Sequence, residues 1–310
     1  MSEVRYGTAG WSFQDWYGAF YPTPAAAAEG PGSLFTGVLE DAPDPDVALA
    51  KRQPLRYYAR FFDLVEVNSS FYGIPRRTTT ESWARQTDER PAAARPFWFT
   101  FKLPQPMSHQ GVLEPREVDA FREALAPLRE RDRLAGVLAQ FPQHFPFSEA
   151  SQERLRRIRA ALPDLDLIAE VRHTTWASPA AADFLASLEL SLASIDMPQG
   201  RNTLEPATTL TRPKLAYVRL HGRNAQAWFD PKAGRDDKYD YLYGEGELDE
   251  WAERIAGLSR LADRTLVVAN NHFRGKAPAN ALELRARAGE RVAVPRPLSA
   301  TYARLGRLGS

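Results

Sequence analysis

Eight short apolar runs, rich in β-branched and aromatic residues and bounded by turn residues, alternate with helix-like segments along this chain. The runs span roughly 4–10, 64–70, 96–103, 134–141, 165–172, 190–197, 215–221 and 265–272. Helix-like patterns fall at 55–62, 78–86, 115–131, 148–161, 178–188, 246–261 and 278–288, while 199–214 hold at most a short helix. Such alternation implies parallel strands joined by right-handed crossovers. It predicts an α/β fold, a single (β/α)8 TIM-type barrel over residues 1–310, with no linker to divide it. One stretch breaks the pattern. Residues 23–54 contain AAAAEGPG and EDAPDPD and lack a clear period. They predict a long irregular insertion after the first strand, either mobile with one short helical turn or a lid.

Composition excludes several classes. The chain is 44% hydrophobic and 25% charged, the balance of a globular protein in water. No run approaches the roughly 20 apolar residues of a membrane span, so no membrane partner is expected. MSEVRYGTAGW lacks the basic start and apolar stretch of a secretory signal, and a cytoplasmic location is expected. Without cysteine there is no disulfide, thiolate metal site or cysteine nucleophile. A net charge of +1 gives no global footprint for nucleic acid. Arginine clusters at Arg154–Arg159 and at Arg285, Arg287, Arg291, Arg296, Arg304 and Arg307 read as solvated faces. They leave a non-catalytic, nucleic-acid-contacting protein open as a third reading.

All five histidines, His109, His144, His173, His221 and His272, sit at or a few residues past the end of a strand-like run. In a parallel barrel these ends form one rim, where chemistry is located. Strand side chains alternate faces. With Val65 and Val67, Phe97, Phe99 and Phe101, and Leu167, Ala169 and Val171 turned outward, polar residues are left facing in. They are Glu66, Asn68, Thr100, Lys102, Gln140, Glu170, Arg172, Asp196, Tyr217, Arg219, His221, Asn270 and His272. A scaffold barrel would fill such positions with aliphatic residues, since buried unpaired charge is costly. The alternatives are a ligand pocket and a self-satisfied salt-bridge network.

The inward charges balance, with Glu66, Glu170 and Asp196 against Lys102, Arg172 and Arg219. Arginine grips phosphate or carboxylate with paired hydrogen bonds. Histidine beside an acid transfers protons near neutral pH. The set suits acid–base work on a small anionic molecule, with hydrolysis, lysis or isomerisation as reaction classes. Lys102, Arg172 and Arg219 would bind the anion, and Glu170, Asp196 and His221 would move protons. Lys102 is a charge stabiliser or, if desolvated, a base, so the catalytic candidates are Glu66, Lys102, Glu170, Asp196 and His221. No cofactor is required. The alternative is a divalent metal (Mg²⁺, Mn²⁺ or Zn²⁺) on Glu170, Asp196 and His221 serving a hydrolase or isomerase for a phosphodiester or sugar. HExxH, Walker, GxGxxG and GxSxG motifs are missing. Aromatics in GWSFQDWYGAFYP and KYDYLYGEGEL either stack a ligand or cover the barrel edge, with Trp11 and Tyr241 the preferred pocket candidates.

GTAGWSFQDWYGAFYP, YYARFFDLVEVNSSFYGIP, FTFKLPQPMSH, LAQFPQHF, AEVRHTTW, YVRLHGR, YDYLYGEGELDEWA and NNHFRGKAPANAL run in order over nearly the whole chain. Together they resemble the YecE-like family, TIM-barrel proteins of unknown function. The resemblance implies a closed barrel with a rim pocket. On matching positions it points to Trp11, Glu66, Asn68, Lys102, His109, Gln140, Glu170, Arg172, His173, Asp196, Arg219, His221, Asn270 and Asn271. It implies no established reaction and puts less weight on His272. The 23–54 insertion is longer than the usual loop of such proteins, which bears on pocket access.

Overall fold

The computed structural model describes residues 3–24, 44–90 and 94–308. Eight strands, β1 (Glu3–Ala9), β2 (Leu64–Val67), β3 (Trp98–Lys102), β4 (Leu134–Gln140), β5 (Leu167–Glu170), β6 (Ser191–Asp196), β7 (Leu215–Leu220) and β8 (Arg264–Ala269), pair in parallel and in chain order. The β1–β8 pairing, from Glu3↔Arg264 to Thr8↔Ala269, closes the barrel. This is the TIM-type architecture that the alternation predicts.

The helices are α1 (Pro45–Arg52), α2 (Pro54–Tyr58), α3 (Arg77–Asp88), α4 (Pro115–Arg129), α5 (Glu149–Ala161), α6 (Pro179–Ser187), α7 (Ala225–Phe229), α8 (Arg235–Lys238), α9 (Glu245–Ser259), α10 (Lys276–Arg287) and α11 (Arg296–Thr301). Proline opens α1, α2, α4 and α6, where its missing N–H is not needed. Ser148 and Ser178 cap α5 and α6 by accepting from Ser151 N and Ala181 N.

Two connections carry more regular structure than the sequence displays. The irregular insertion expected at 23–54 ends in regular structure, because Asp44 accepts from Asp46 N at 2.8 Å and starts α1. Residues 25–43 of that insertion lie outside the described residues. The connection after β7 carries two short helices, α7 and α8, that lack the length for a visible period.

Side chains sort into two layers. Outward residues such as Val65, Phe99, Phe101 and Leu167 pack under the helices. Inward residues such as Leu64, Trp98, Leu138, Ile168, Ile195 and Leu266 fill the barrel. At its N-terminal end Arg5 lies 4.4 Å over the Trp98 ring and pairs with Asp63 at 3.1 Å, plugging that end with a paired cation. Trp16, Phe20 and Tyr21 pack with Tyr57, Tyr58 and Phe62, so most of the first aromatic cluster covers the barrel edge.

Gly7 is where the barrel wall is tightest. A Cβ there would lie 2.0 Å from the Leu64 carbonyl oxygen across the β1–β2 pairing. At Gly73 a Cβ meets nothing within 4 Å. Gly7→Val is expected to destabilise the fold by about 3 kcal/mol or more and Gly73→Ala by less than about 0.5 kcal/mol. Urea unfolding of the two variants checks this, and equal losses would contradict it.

Candidate functional site

The open C-terminal end of the barrel is polar because β2, β3, β5 and β7 each place a charged residue last or near last on the inner face. Arg219 on β7 is the centre. Its Nη2 donates to Glu66 Oε1 at 2.7 Å, and its Nη1 donates to Glu170 Oε2. All three side chains are buried. The second oxygen of Glu66 accepts from the Tyr217 hydroxyl at 2.8 Å, and that hydroxyl lies 3.0 Å from Thr100 Oγ1. Arg172 Nε and Nη2 donate to Glu170 Oε1 at 3.0 and 2.6 Å. Gln140 Oε1 accepts from Arg219 Nη1 at 3.4 Å.

His221 completes the cluster. With Asn270 Nδ2 as donor to Nδ1 at 2.8 Å, the imidazole proton resides on Nε2, 3.3 Å from Glu170 Oε1. Burial pulls the His221 pKa down to about 4 despite Glu170, so the ring is neutral at pH 7. Burial pushes the Glu170 carboxyl up, but Arg219, Arg172 and His221 together overcome it and hold it well below the usual range.

Lys102 differs from the rest. It is 7% exposed, and among the described residues it has no carboxylate within 4.0 Å and no side-chain hydrogen bond. Its Nζ lies 4.1 Å over the Phe71 ring. Burial, reinforced by Arg219, lowers its pKa to about 8.

Asp196 does not join this group. Ala193 and Ile195 pair with Tyr217 and Arg219 and share their inward face, so Asp196, paired with Leu220, faces out. It accepts from Arg223 Nε at 2.9 Å and from Trp251 Nε1 of α9 at 3.1 Å. The inward placement expected from the sequence is corrected. The register of β6 cannot be read from a run as mixed as SLASID. The alternative metal set of Glu170, Asp196 and His221 is therefore not assembled, and the Glu170 oxygens are already held by arginine. No cluster of three or more His, Asp or Glu suited to a metal occurs among the described residues.

Other candidates are distributed around the rim. Trp11 and Asn68 line a cavity of about 220 Å³ with Phe13, Tyr72 and Arg235, and Asn68 Oδ1 is buried without a partner. His109 lines a second cavity, about 240 Å³, with His144 and Arg154. Burial, then Lys102 and Arg172, lower its pKa. His173 caps the 3-10 turn Thr174–Ala177 by accepting from Thr175 N, away from the mouth. Asn271 turns to the outer layer, donating to Tyr241 O and Asn280 Oδ1, both at 2.8 Å. Tyr241 donates to Glu247 at 2.7 Å, in the Arg223 and Asp196 cluster.

The ring over the mouth is Tyr239 instead. Its centroid is 6.1 Å from His221 and 5.2 Å from His272, and Trp228 of α7 lies 5.8 Å from His221. His272 stacks on Phe13 at 4.6 Å. Trp228 and Phe71 went unread as site residues, because isolated loop aromatics carry no periodic signal.

The titration of these groups gives a stability prediction. His221 and His272 both have folded pKa values near 4, below the ordinary 6.5. The unfolded chain takes up protons first, so stability present above pH 6.5 is lost as pH falls towards 4. Each histidine contributes up to about 3 kcal/mol to that loss, and Glu170 extends it to lower pH. Urea midpoints over pH 4–7 are expected to fall steadily and to fall less in His221→Gln; a flat wild-type profile would contradict the buried neutral imidazole. Glu170→Gln, which leaves Arg219 and Arg172 under-neutralised, is expected to cost about 3–5 kcal/mol at pH 7.

Comparison with known proteins agrees with this architecture. The UPF0759 protein YunF of Bacillus subtilis (strain 168) is 29% identical over 249 residues, covering 76% of this chain and 86% of YunF. The crystal structure of a DUF72 family protein from Thermotoga maritima is 30% identical with a TM-score of 0.74, covering 93% of this chain and 100% of that one. A DUF72 family protein from Enterococcus faecalis V583 is 24% identical with a TM-score of 0.74, covering 95% of this chain and 98% of that one. The family model described as "Protein of unknown function DUF72" matches residues 44–302. The chain belongs to the DUF72 family.

Proposed function

We propose that the barrel binds a small anionic molecule, phosphorylated or carboxylated, at its C-terminal mouth, with Lys102 and Arg172 as the cations that meet it. The observation that carries this is the unpartnered ammonium of Lys102. With Asp196 in the outer layer, the mouth holds Glu66 and Glu170 against Lys102, Arg172 and Arg219. The two carboxylates are engaged by Arg219, Arg172, Tyr217 and His221. One positive charge is left over, buried, and an anionic ligand would neutralise it. Arg172, whose side chain is 12% exposed, keeps Nη1 free to join it. Arg219 belongs to the floor that orients these groups. Acid–base catalysis is open through Lys102, the mouth group poised nearest neutral pH.

The YecE-like resemblance, a single catalytic barrel and a cytoplasmic location belong to the same reading. No helix among the described residues is long and apolar enough to cross a membrane. Ion pairing within the arginine clusters disfavours a nucleic-acid surface, although Arg285, Arg287 and Arg304 are largely covered and form no solvated face. Arg156 pairs with Glu149 and Glu153, Arg285 with Glu290, Arg287 with Asp249 and Arg304 with Glu283.

A thermal-shift series with phosphate, sulfate, carboxylic acids and sugar phosphates, with and without chelator, tests the proposal. At about 100 times its dissociation constant an anion stabilises by about 2.7 kcal/mol. The shift is expected to survive chelator, to vanish in Lys102→Met and Arg172→Met, and to persist in Asp196→Asn. No shift with any anion, or a shift with divalent cations alone, would overturn it.

Lys102→Met is also expected to be at least as stable as wild type without ligand at pH 7. The folded pKa of Lys102, about 8, lies below the ordinary 10.5. The folded state therefore loses stability as pH falls from 10.5 through 8, and removing the amine lifts that loss. A large drop in the Lys102→Met melting temperature would show Lys102 to be a structural residue instead.

A further inference from the structure

The unpartnered cation of the mouth is also a primary amine, and its surroundings suit a nucleophile better than a counter-ion. Lys102 is the one buried lysine of six; Lys51, Lys214 and Lys232 are exposed, and Lys276 is paired with Asp240. A lysine that serves only charge is normally locked by a carboxylate, which holds its proton. Here Glu66 and Glu170 are both committed to arginine, and among the described residues no carboxylate lies within 4.0 Å of Nζ. The Phe71 ring covers one side of Nζ at 4.1 Å, and the lysine is 7% exposed. Burial first and then Arg219 oppose protonation, and Glu66 and Glu170 only partly offset them. A desolvated lysine beside another cation is the standard arrangement for an amine that attacks carbonyl carbon.

We infer that Lys102 forms a Schiff base with a small aldehyde or ketone that carries a carboxylate or phosphate, Arg172 holding the anionic group. This rests on the anion-binding reading above and adds the reacting group of the ligand. In the step, the lone pair of unprotonated Nζ forms a C–N bond as the carbonyl π pair moves to oxygen. That oxygen takes one proton from nitrogen and a second from solvent and leaves as water when C=N forms, and the resulting iminium returns its remaining N–H proton to solvent. Amine and carbonyl give imine and water, with no oxidant or reductant.

At pH 7.5 about one Lys102 in four is unprotonated, against roughly one in a thousand for an ordinary lysine. The test is reductive trapping on the full chain. Pyruvate, glyoxylate and dihydroxyacetone phosphate are each added with cyanoborohydride, followed by intact mass and peptide mapping, so that carboxylate and phosphate carbonyls are separate arms. Lys102 is expected to be labelled at least about tenfold faster than any other lysine at pH 7.5, with a midpoint near pH 8. Labelling should be slowed by lactate or phosphate, which carry no carbonyl, and lost in Lys102→Arg. The wild-type map needs no variant to fold. Anion-induced stabilisation without a Lys102 adduct would overturn the inference and leave the anion reading standing. Adducts spread evenly over the exposed lysines would overturn it equally, and the loss of both adduct and stabilisation would remove both readings.

Discussion

The barrel mouth depends on one side chain that reaches across it. Arg219 projects from β7 and binds Glu66 on β2 and Glu170 on β5, so three well-separated strands are tied through a single buried guanidinium. Ion pairs out of water are not cheap, and their attraction compensates only when the remaining hydrogen bonds are met. Here they largely are. Tyr217 serves Glu66, and Arg172 and His221 serve Glu170. An aliphatic layer would close the barrel at lower cost. The polar layer instead holds fixed charges at the barrel mouth, the arrangement that the proposed anion binding would use.

From that floor the rest of the site follows. Both carboxylates are spent on arginine, which is why Lys102 is left with an aromatic face and no acid. The same network keeps Glu170 ionised and His221 neutral, so neither titrates near pH 7. Lys102, lowered to about 8, stands closer to neutral pH than either, and the proposed chemistry is assigned to it for that reason. Above it, Trp228 and Tyr239 from the β7–α9 connection cover His221, while Trp11, Phe13 and Asn68 border the open side. The cover is aromatic and the floor is ionic, so the space between them is of low dielectric with one unneutralised charge, as the proposed anion site requires.

Asp196 shows how an outward residue can imitate an inward one. It is a buried acid at the end of a strand, next in sequence to barrel residues. Yet it binds Arg223 and Trp251 on the helix side and anchors α9 to β6. Burial pushes its carboxyl up, and Arg223 only partly offsets this. Moving this one charge out turns a balanced mouth into a positive one, and the functional reading turns on it.

What the amino-acid sequence determined by itself was the barrel and most of its inner face. Period-two alternation in strands such as FWFTFK and LDLIAEVR has one solution once one face must be apolar, so Thr100, Lys102, Glu170 and Arg172 were legible as inward. Chain order placed the histidines on one rim. What only the tertiary structure decided was which polar groups meet. The facing of β6 came from its pairing with β7, because its small and mixed residues permit either face. The choice of Tyr239 and Trp228 over Tyr241 came from how the β7–α9 connection folds back across the mouth, a contact between residues with no fixed spacing. The isolation of Lys102 was invisible in the sequence for the same reason. Composition counts charges, but which carboxylate each arginine takes is set by distance across the barrel.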